Sequence, residues 1–172
     1  MLFRSTVYEK EYSEILDMFY GIYVSTIMSN TINQEVHSKK PELFFILDLP
    51  LPKRINTDPI INLYDCFDLF VEPEILEGDN AWYNEKSGKK ENVKKQLTFW
   101  NLPKILVIVL KRFSPCGQYK LNTVIDFPIN DLDLSNYIKG YNKSSFLYDL
   151  YSSVCLALAI SLCRFLSMYT IY

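Results

Sequence analysis

Six consecutive apolar residues, Ile105 to Leu110, constrain this chain more than any other feature. The run is rich in β-branched side chains, and it is bounded by Pro103 before it and Lys111-Arg112 after it. A strand without a polar side cannot lie with one face in water. It therefore reads as a strand buried on both faces, at the centre of a sheet. Such a strand needs neighbours in the sheet and apolar cover above and below. With 172 residues, 49% of them hydrophobic and 15% aromatic, the chain has the material for one domain with a packed core.

The neighbours are legible around it. Tyr8, Tyr12, Ile15 and Phe19 share one helix face, which predicts a helix over 7–20 that Gly21 stops. Ile22 to Ile27 alternates as a strand. Leu43 to Leu49 is short, apolar and bounded by Pro50 and Pro52, so it reads as a second strand. A second helix is expected from Leu63 to Phe70, with Asn62 as N-cap and Asp65 in its first turn. Its buried face would carry Leu63, Cys66, Phe67 and Phe70. Glu77 to Asn80 is a turn. Lys86, Lys89, Lys90, Lys94 and Lys95 then read as a solvated hairpin tip. Gln96 to Trp100, Val124 to Phe127 and Phe146 to Tyr151 are further strands. Ser114 to Gly117 is a turn, and Leu132, Leu134 and Tyr137 lie on a short helical turn or an extended segment. No internal repeat is present.

Composition removes several function classes. Five glycines and no phosphate-loop pattern leave nothing to cradle a nucleotide. A net charge of −2 and a pI near 5.5 give no electrostatic reason to expect nucleic acid. Cys66, Cys116, Cys155 and Cys163 form no C-x-x-C pair, so they read as free thiols of a reducing compartment; the opening residues carry no signal peptide. His37 is the single histidine, set in a polar stretch that reads as a turn or strand end. Any Cys-His nucleophilic pair would have to use it, and its expected role is that of a solvated surface side chain.

Several segments, in order, resemble the ubiquitin-specific protease family. Phe19 to Thr26 is similar to the F-x-G-x-x-x-S segment entering that family's fingers, and Glu42 to Leu49 to the E-x-F-x-x-L-x-L strand. Leu63 to Phe70 resembles the L-x-D-C-L-x-x-F helix. Trp82-Tyr83, then Leu102 to Phe113 ending in Leu110-Lys111-Arg112-Phe113, resemble the W-Y and L-P-x-I-L…L-K-R-F segments. Val124 to Pro128 and Tyr148 to Tyr151 continue the match. The resemblance implies an α+β, papain-like fold, incomplete here: an antiparallel sheet of palm and fingers with two short helices and no thumb. It implies a partial protease domain over 1–154 and an apolar divergent tail over 155–172. It makes Gly21, Leu110, Lys111, Arg112 and Phe113 fold-determining. Glu42 would face the basic surface of ubiquitin, with Phe44 supporting its strand.

The departures bear on activity. The family's nucleophilic cysteine belongs to a box preceding the fingers, and its general-base histidine to a G-G-H-Y-type box soon after Tyr148. Here Ser152-Ser153-Val154-Cys155 runs into Leu156 to Ile160 with no histidine, so no catalytic residue is expected. Many members hold zinc with four finger cysteines. The equivalent positions are Ser29, Ile32, Asn84 and Ser87, which supply no thiolate, so no metal and no cofactor is expected. The expected function is a fragment or relative of a deubiquitinating cysteine protease, inactive alone, with ubiquitin or ubiquitinated proteins as partner. The alternatives are a non-catalytic ubiquitin-binding module and a relic that binds nothing. The expected location is cytoplasmic or nuclear. The tail over 150–172 is a weak membrane-anchor candidate because Arg164 interrupts it. A tail foreign to the fold would leave sheet edges exposed and the chain poorly soluble.

Overall fold

A computed structural model describes residues 13–53, 60–113, 120–141, 146–155 and 165–170. Helix α1 spans Glu14–Phe19, with the Ser13 hydroxyl accepting from the Leu16 amide at 3.2 Å as its N-cap. The extended backbone at Ser13 interrupts the helix expected over 7–20, of which residues 7–12 lie outside the described residues. Ile15 is 62% exposed, while Phe19 packs on Phe45 with ring centroids 5.5 Å apart. The expected positions Tyr8 and Tyr12 lie outside the described residues. Tyr20 is already extended, so Gly21 opens strand β1 (Gly21–Ser29) and does not stop the helix.

Strand β2 spans Val36–Phe44 and strand β3 Ile46–Leu49, with Phe45 as the break. The sequence predicted one strand over 43–49. Most of β2 was missed because Val36 to Leu43 is polar and contains Pro41. Its strand character comes from pairing with β1, which places Pro41 opposite Val24. Proline is tolerated there because β2 is an edge strand, and exposed Lys39 and Lys40 blunt that edge. His37 is therefore a strand residue.

Strand β4 (Ile61–Asn62) leads into helix α2 (Leu63–Val71). Asn62 caps it, its side-chain oxygen accepting from Tyr64 N at 3.0 Å, while Asp65 Oδ2 accepts from Asn62 N at 2.8 Å. Leu63, Cys66 and Phe67 are buried and Phe70 is partly buried, as the helix spacing predicts. Strand β5 (Glu74–Leu76) and a 3-10 turn at Gly78–Asn80 follow. Next come β6 (Trp82–Asn84), β7 (Lys89–Glu91) and β8 (Val93–Asn101). Lys94 and Lys95 thus sit in β8 and not in the lysine-rich hairpin tip.

Strand β9 (Ile105–Leu110) is flanked on both sides, and its residues from Leu106 on are all buried. Strand β10 is only Ile125–Asp126, the two residues that pair with Ile61 and Asn62. Leu132 and Leu134 are buried beside β11 (Leu132–Asp133) and a 3-10 turn at Ser135–Tyr137. Strand β12 (Leu147–Cys155) and β13 (Phe165–Thr170) complete the fold.

One sheet runs β2-β1-β8-β5 and another β11-β12-β13-β9-β3; β6-β7 and β10-β4 form two small sheets. The expected all-antiparallel arrangement is corrected: β3 pairs parallel with β9, and β10 parallel with β4. Residues 50–104 form the long connection that a parallel pair requires. Among the described residues the architecture is mixed α+β with two short α-helices. The expected boundary at 154/155 falls inside β12. Phe165–Thr170, from the stretch expected to diverge, pairs with β12 on one side and β9 on the other.

One core joins the two large sheets and α2. Phe99 of β8 meets Phe44 and Phe67 at 6.1 Å each and lies nearly parallel to Phe70 at 5.4 Å. Offset and edge-to-face contacts of this kind add to what burial alone contributes. Below them Leu47, Leu49, Leu106, Ile108 and Leu110 fill the parallel interface. Tyr148 is fully buried and satisfies its hydroxyl by donating to the Pro103 carbonyl at 2.6 Å.

Candidate functional site

The residues singled out in the sequence fall into three places. Glu42 is a half-buried residue of β2, directly opposite Tyr23 of β1. The Tyr23 hydroxyl donates to Glu42 Oε2 at 3.1 Å. Burial first, then this bond and the carboxylate charge, hold the Tyr23 phenol above its ordinary range, so it stays a donor. Tyr23 is itself fixed by rings, 5.7 Å from Phe44 and 6.3 Å from Phe70. The Glu42 carboxylate is thus tied to a side chain anchored in the core. Phe44 is 6% exposed and belongs to that core, on the same face of β2 as Glu42.

Gly21 lies against the same ring. A Cβ there would come within 2.3 Å of Phe44 Cζ and 2.9 Å of Pro103 Cδ. The glycine lets the β1 backbone pass over Phe44.

The Leu110 to Phe113 segment closes β9. Leu110 is buried, and Lys111 N donates to the Leu49 carbonyl at 2.9 Å, extending the parallel pairing by one bond. Arg112 Nη1 donates to the Thr123 carbonyl at 2.5 Å and the Leu121 carbonyl at 3.3 Å. Phe113 bridges to Lys120. The guanidinium clamps the returning chain by its carbonyls, which accounts for an arginine at this position.

Cys66 is a core residue, as its helix face predicts, and is not paired with His37. Cys66 is fully buried on α2, and burial, with Asp65 adding and Arg112 opposing, pushes its thiol up to about 11. A thiol held in its protonated form is a poor nucleophile. His37 lies face-on to Trp82 with centroids 5.8 Å apart, and its Nε2 is 4.0 Å from Glu91 Oε2. Cys116 and Cys163 lie outside the described residues. Among the described residues no three His, Cys, Asp or Glu side chains converge as metal ligands, and no helix is long and apolar enough to cross a membrane.

The metal implied by the resemblance does not fit the residues present. Ile32 is fully exposed and has no donor atom. The Ser29 hydroxyl is hydrogen-bonded to the Thr31 hydroxyl at 2.8 Å, and Asn84 and Ser87 both donate to Glu91. Amide, hydroxyl and aliphatic groups are not the soft anionic set a structural zinc requires.

Sequence reasoning missed three groups. Tyr23 was read only as part of a strand, and its bond to Glu42 depends on the β1–β2 register. Gly140 drew no attention, yet a Cβ there would fall 2.0 Å from the Trp100 carbonyl oxygen. A cleft of about 420 Å³ lies between α2, β8 and the 133–139 segment, lined by Tyr64, Asp68, Gln96 and Tyr137 among others. In it Tyr137 donates to Asp68 Oδ1 at 2.7 Å and Asp133 N donates to the Tyr64 hydroxyl at 3.0 Å. These bonds join segments some seventy residues apart in sequence, so no local pattern could have shown them.

The scaffold is sheet-rich and mixed α+β, with a clamped parallel strand pair, and no nucleophile is assembled among its described residues. The family model described as ubiquitin carboxyl-terminal hydrolase matches residues 4–157, and the chain belongs to that family. It is 39% identical over 106 residues to ubiquitin carboxyl-terminal hydrolase 5 of Arabidopsis thaliana, covering 60% of this chain and 11% of the relative. It is 40% identical over 95 residues to human ubiquitin carboxyl-terminal hydrolase 15, covering 54% and 10%. With the putative ubiquitin carboxyl-terminal hydrolase 11 of Arabidopsis thaliana it shares 35% over 128 residues, covering 70% and 14%. The chain therefore spans about a tenth of the length of the curated relatives it matches.

Proposed function

We propose that this chain is the ubiquitin-gripping portion, fingers and palm, of a papain-like deubiquitinating cysteine protease, and that alone it binds without cutting. The observation that carries the reading is Glu42. Its carboxylate sits on the edge strand of the β2-β1-β8-β5 sheet and is held there by Tyr23. A fixed anion on a sheet flank suits a basic protein surface, because its orientation is set before binding and less entropy is lost in docking. The inactive reading is supported, among the described residues, by the burial that holds the Cys66 thiol protonated and by the placement of His37 against Trp82, with Glu91 the nearest charged group at 4.0 Å. The proposed workplace is that of ubiquitin, the cytoplasm or nucleus.

Titration of isotope-labelled ubiquitin with this chain tests the reading. Shifts clustered on ubiquitin's basic surface are expected, weakened about three- to thirty-fold by Glu42→Gln, the range for losing one charged hydrogen bond partner. No turnover of a fluorogenic ubiquitin C-terminal amide is expected. An unshifted ubiquitin spectrum would overturn the binding and leave the fragment and relic readings, and measurable turnover would overturn the inactivity.

A further inference from the structure

The β6–β7 hairpin stands apart from both large sheets as a two-stranded sheet of its own. Its strands share only three residue pairs, Trp82↔Glu91, Tyr83↔Lys90 and Asn84↔Lys89. A hairpin that short is marginal in water unless something fastens it. Two side chains do so. Glu91 closes the hairpin from within: Asn84 Nδ2 donates to its two oxygens at 3.1 and 3.0 Å, and the Ser87 hydroxyl donates at 2.5 Å. One carboxylate thereby holds the end of β6, the turn and the end of β7. His37 reaches over from β2, its ring nearly parallel to Trp82 with centroids 5.8 Å apart and its Nε2 at 4.0 Å from the Glu91 carboxylate.

We propose that a Glu91–His37 clasp fastens this hairpin to β2 and takes the place, in this chain, of the structural metal that the family resemblance implies for the fingers. The same positions that fail as metal ligands explain how. Asn84 and Ser87 are the two donors that close the hairpin onto Glu91, and His37 supplies the tie between hairpins that a shared metal would otherwise supply. An imidazole can do both jobs at once, stacking its face on the indole and directing an edge nitrogen at the carboxylate. The order of the fingertips in this chain is then independent of metal and dependent on two side chains. The inference does not rest on ubiquitin binding.

Amide hydrogen exchange on the 172-residue chain tests it, with the Ile105–Leu110 amides as internal reference for global unfolding. Chelator is expected to leave exchange across residues 82–91 unchanged, with no stoichiometric metal by elemental analysis. His37→Ala and Glu91→Gln are each expected to speed exchange there about tenfold, the scale of a lost ring contact in the first and of a weakened hydrogen-bond acceptor in the second, while the β9 reference holds. Stoichiometric zinc, or acceleration by chelator, would overturn the proposal, as would unchanged exchange in both variants. The unmutated chain gives a second reading: ring-proton cross-relaxation between His37 and Trp82 is expected, and its absence would equally overturn the clasp.

Discussion

At the scale of single residues, the backbone at Gly21 shows how packing selects an amino acid. Nothing about its conformation demands glycine; the demand comes from the Phe44 ring and Pro103, which leave no room for a methyl group. Phe44 cannot swing away, because Tyr23 and Phe99 hold it at 5.7 and 6.1 Å. Gly21→Ala is therefore expected to destabilise the chain by about 1–3 kcal/mol, the usual cost of overpacking a filled core. Denaturant unfolding would show it as a lower midpoint with unchanged slope, and an unchanged midpoint would sink the packing argument. The family motif made Gly21 legible in sequence. The same steric demand at Gly140 was not, since it arises from the Trp100 carbonyl forty residues away in the chain.

At the scale of elements, α2 was the most legible part of the molecule, because everything that defines it is local. Asn62 and Asp65 supply a reciprocal cap three residues apart, and the 3.6-residue period puts Leu63, Cys66 and Phe67 on one face. Asn62→Ala is expected to cost about 1 kcal/mol, measured by thermal unfolding. Loss of well under a tenth of that would mean the helix is held by its buried face alone. Strand β2 is the counterexample. Its sequence alternates poorly and includes a proline, and pairing with β1 on one side only is what lets it be a strand. Helix α1 fell short for a related reason: the apolar stripe exists, but the structure leaves Ile15 in water while Phe19 meets Phe45.

At the scale of the whole molecule, β13 joins the parts. It pairs antiparallel with β9 from Leu166↔Val109 to Thr170↔Ile105, and with β12 on its other side. Ending the chain before Phe165 would expose ladders of unpaired backbone on both neighbours, a ready template for association. The truncated chain is expected to aggregate on size exclusion, whereas a soluble monomer with an unchanged circular dichroism spectrum would show β13 to be dispensable. By itself the sequence determined that Ile105 to Leu110 is a buried strand, that Leu63 to Phe70 is a capped amphipathic helix, and which family the chain resembles. The first two rest on spacing within about ten residues, where side-chain periodicity and capping act directly, and the third on the order of short motifs from Phe19 to Tyr151. Only the tertiary structure decided that β3 runs parallel to β9, that Tyr23 fixes Glu42, and that His37 and Glu91 meet over Trp82. These are set by sheet register between distant segments, and register depends on how whole faces are buried together, which no short stretch of sequence encodes.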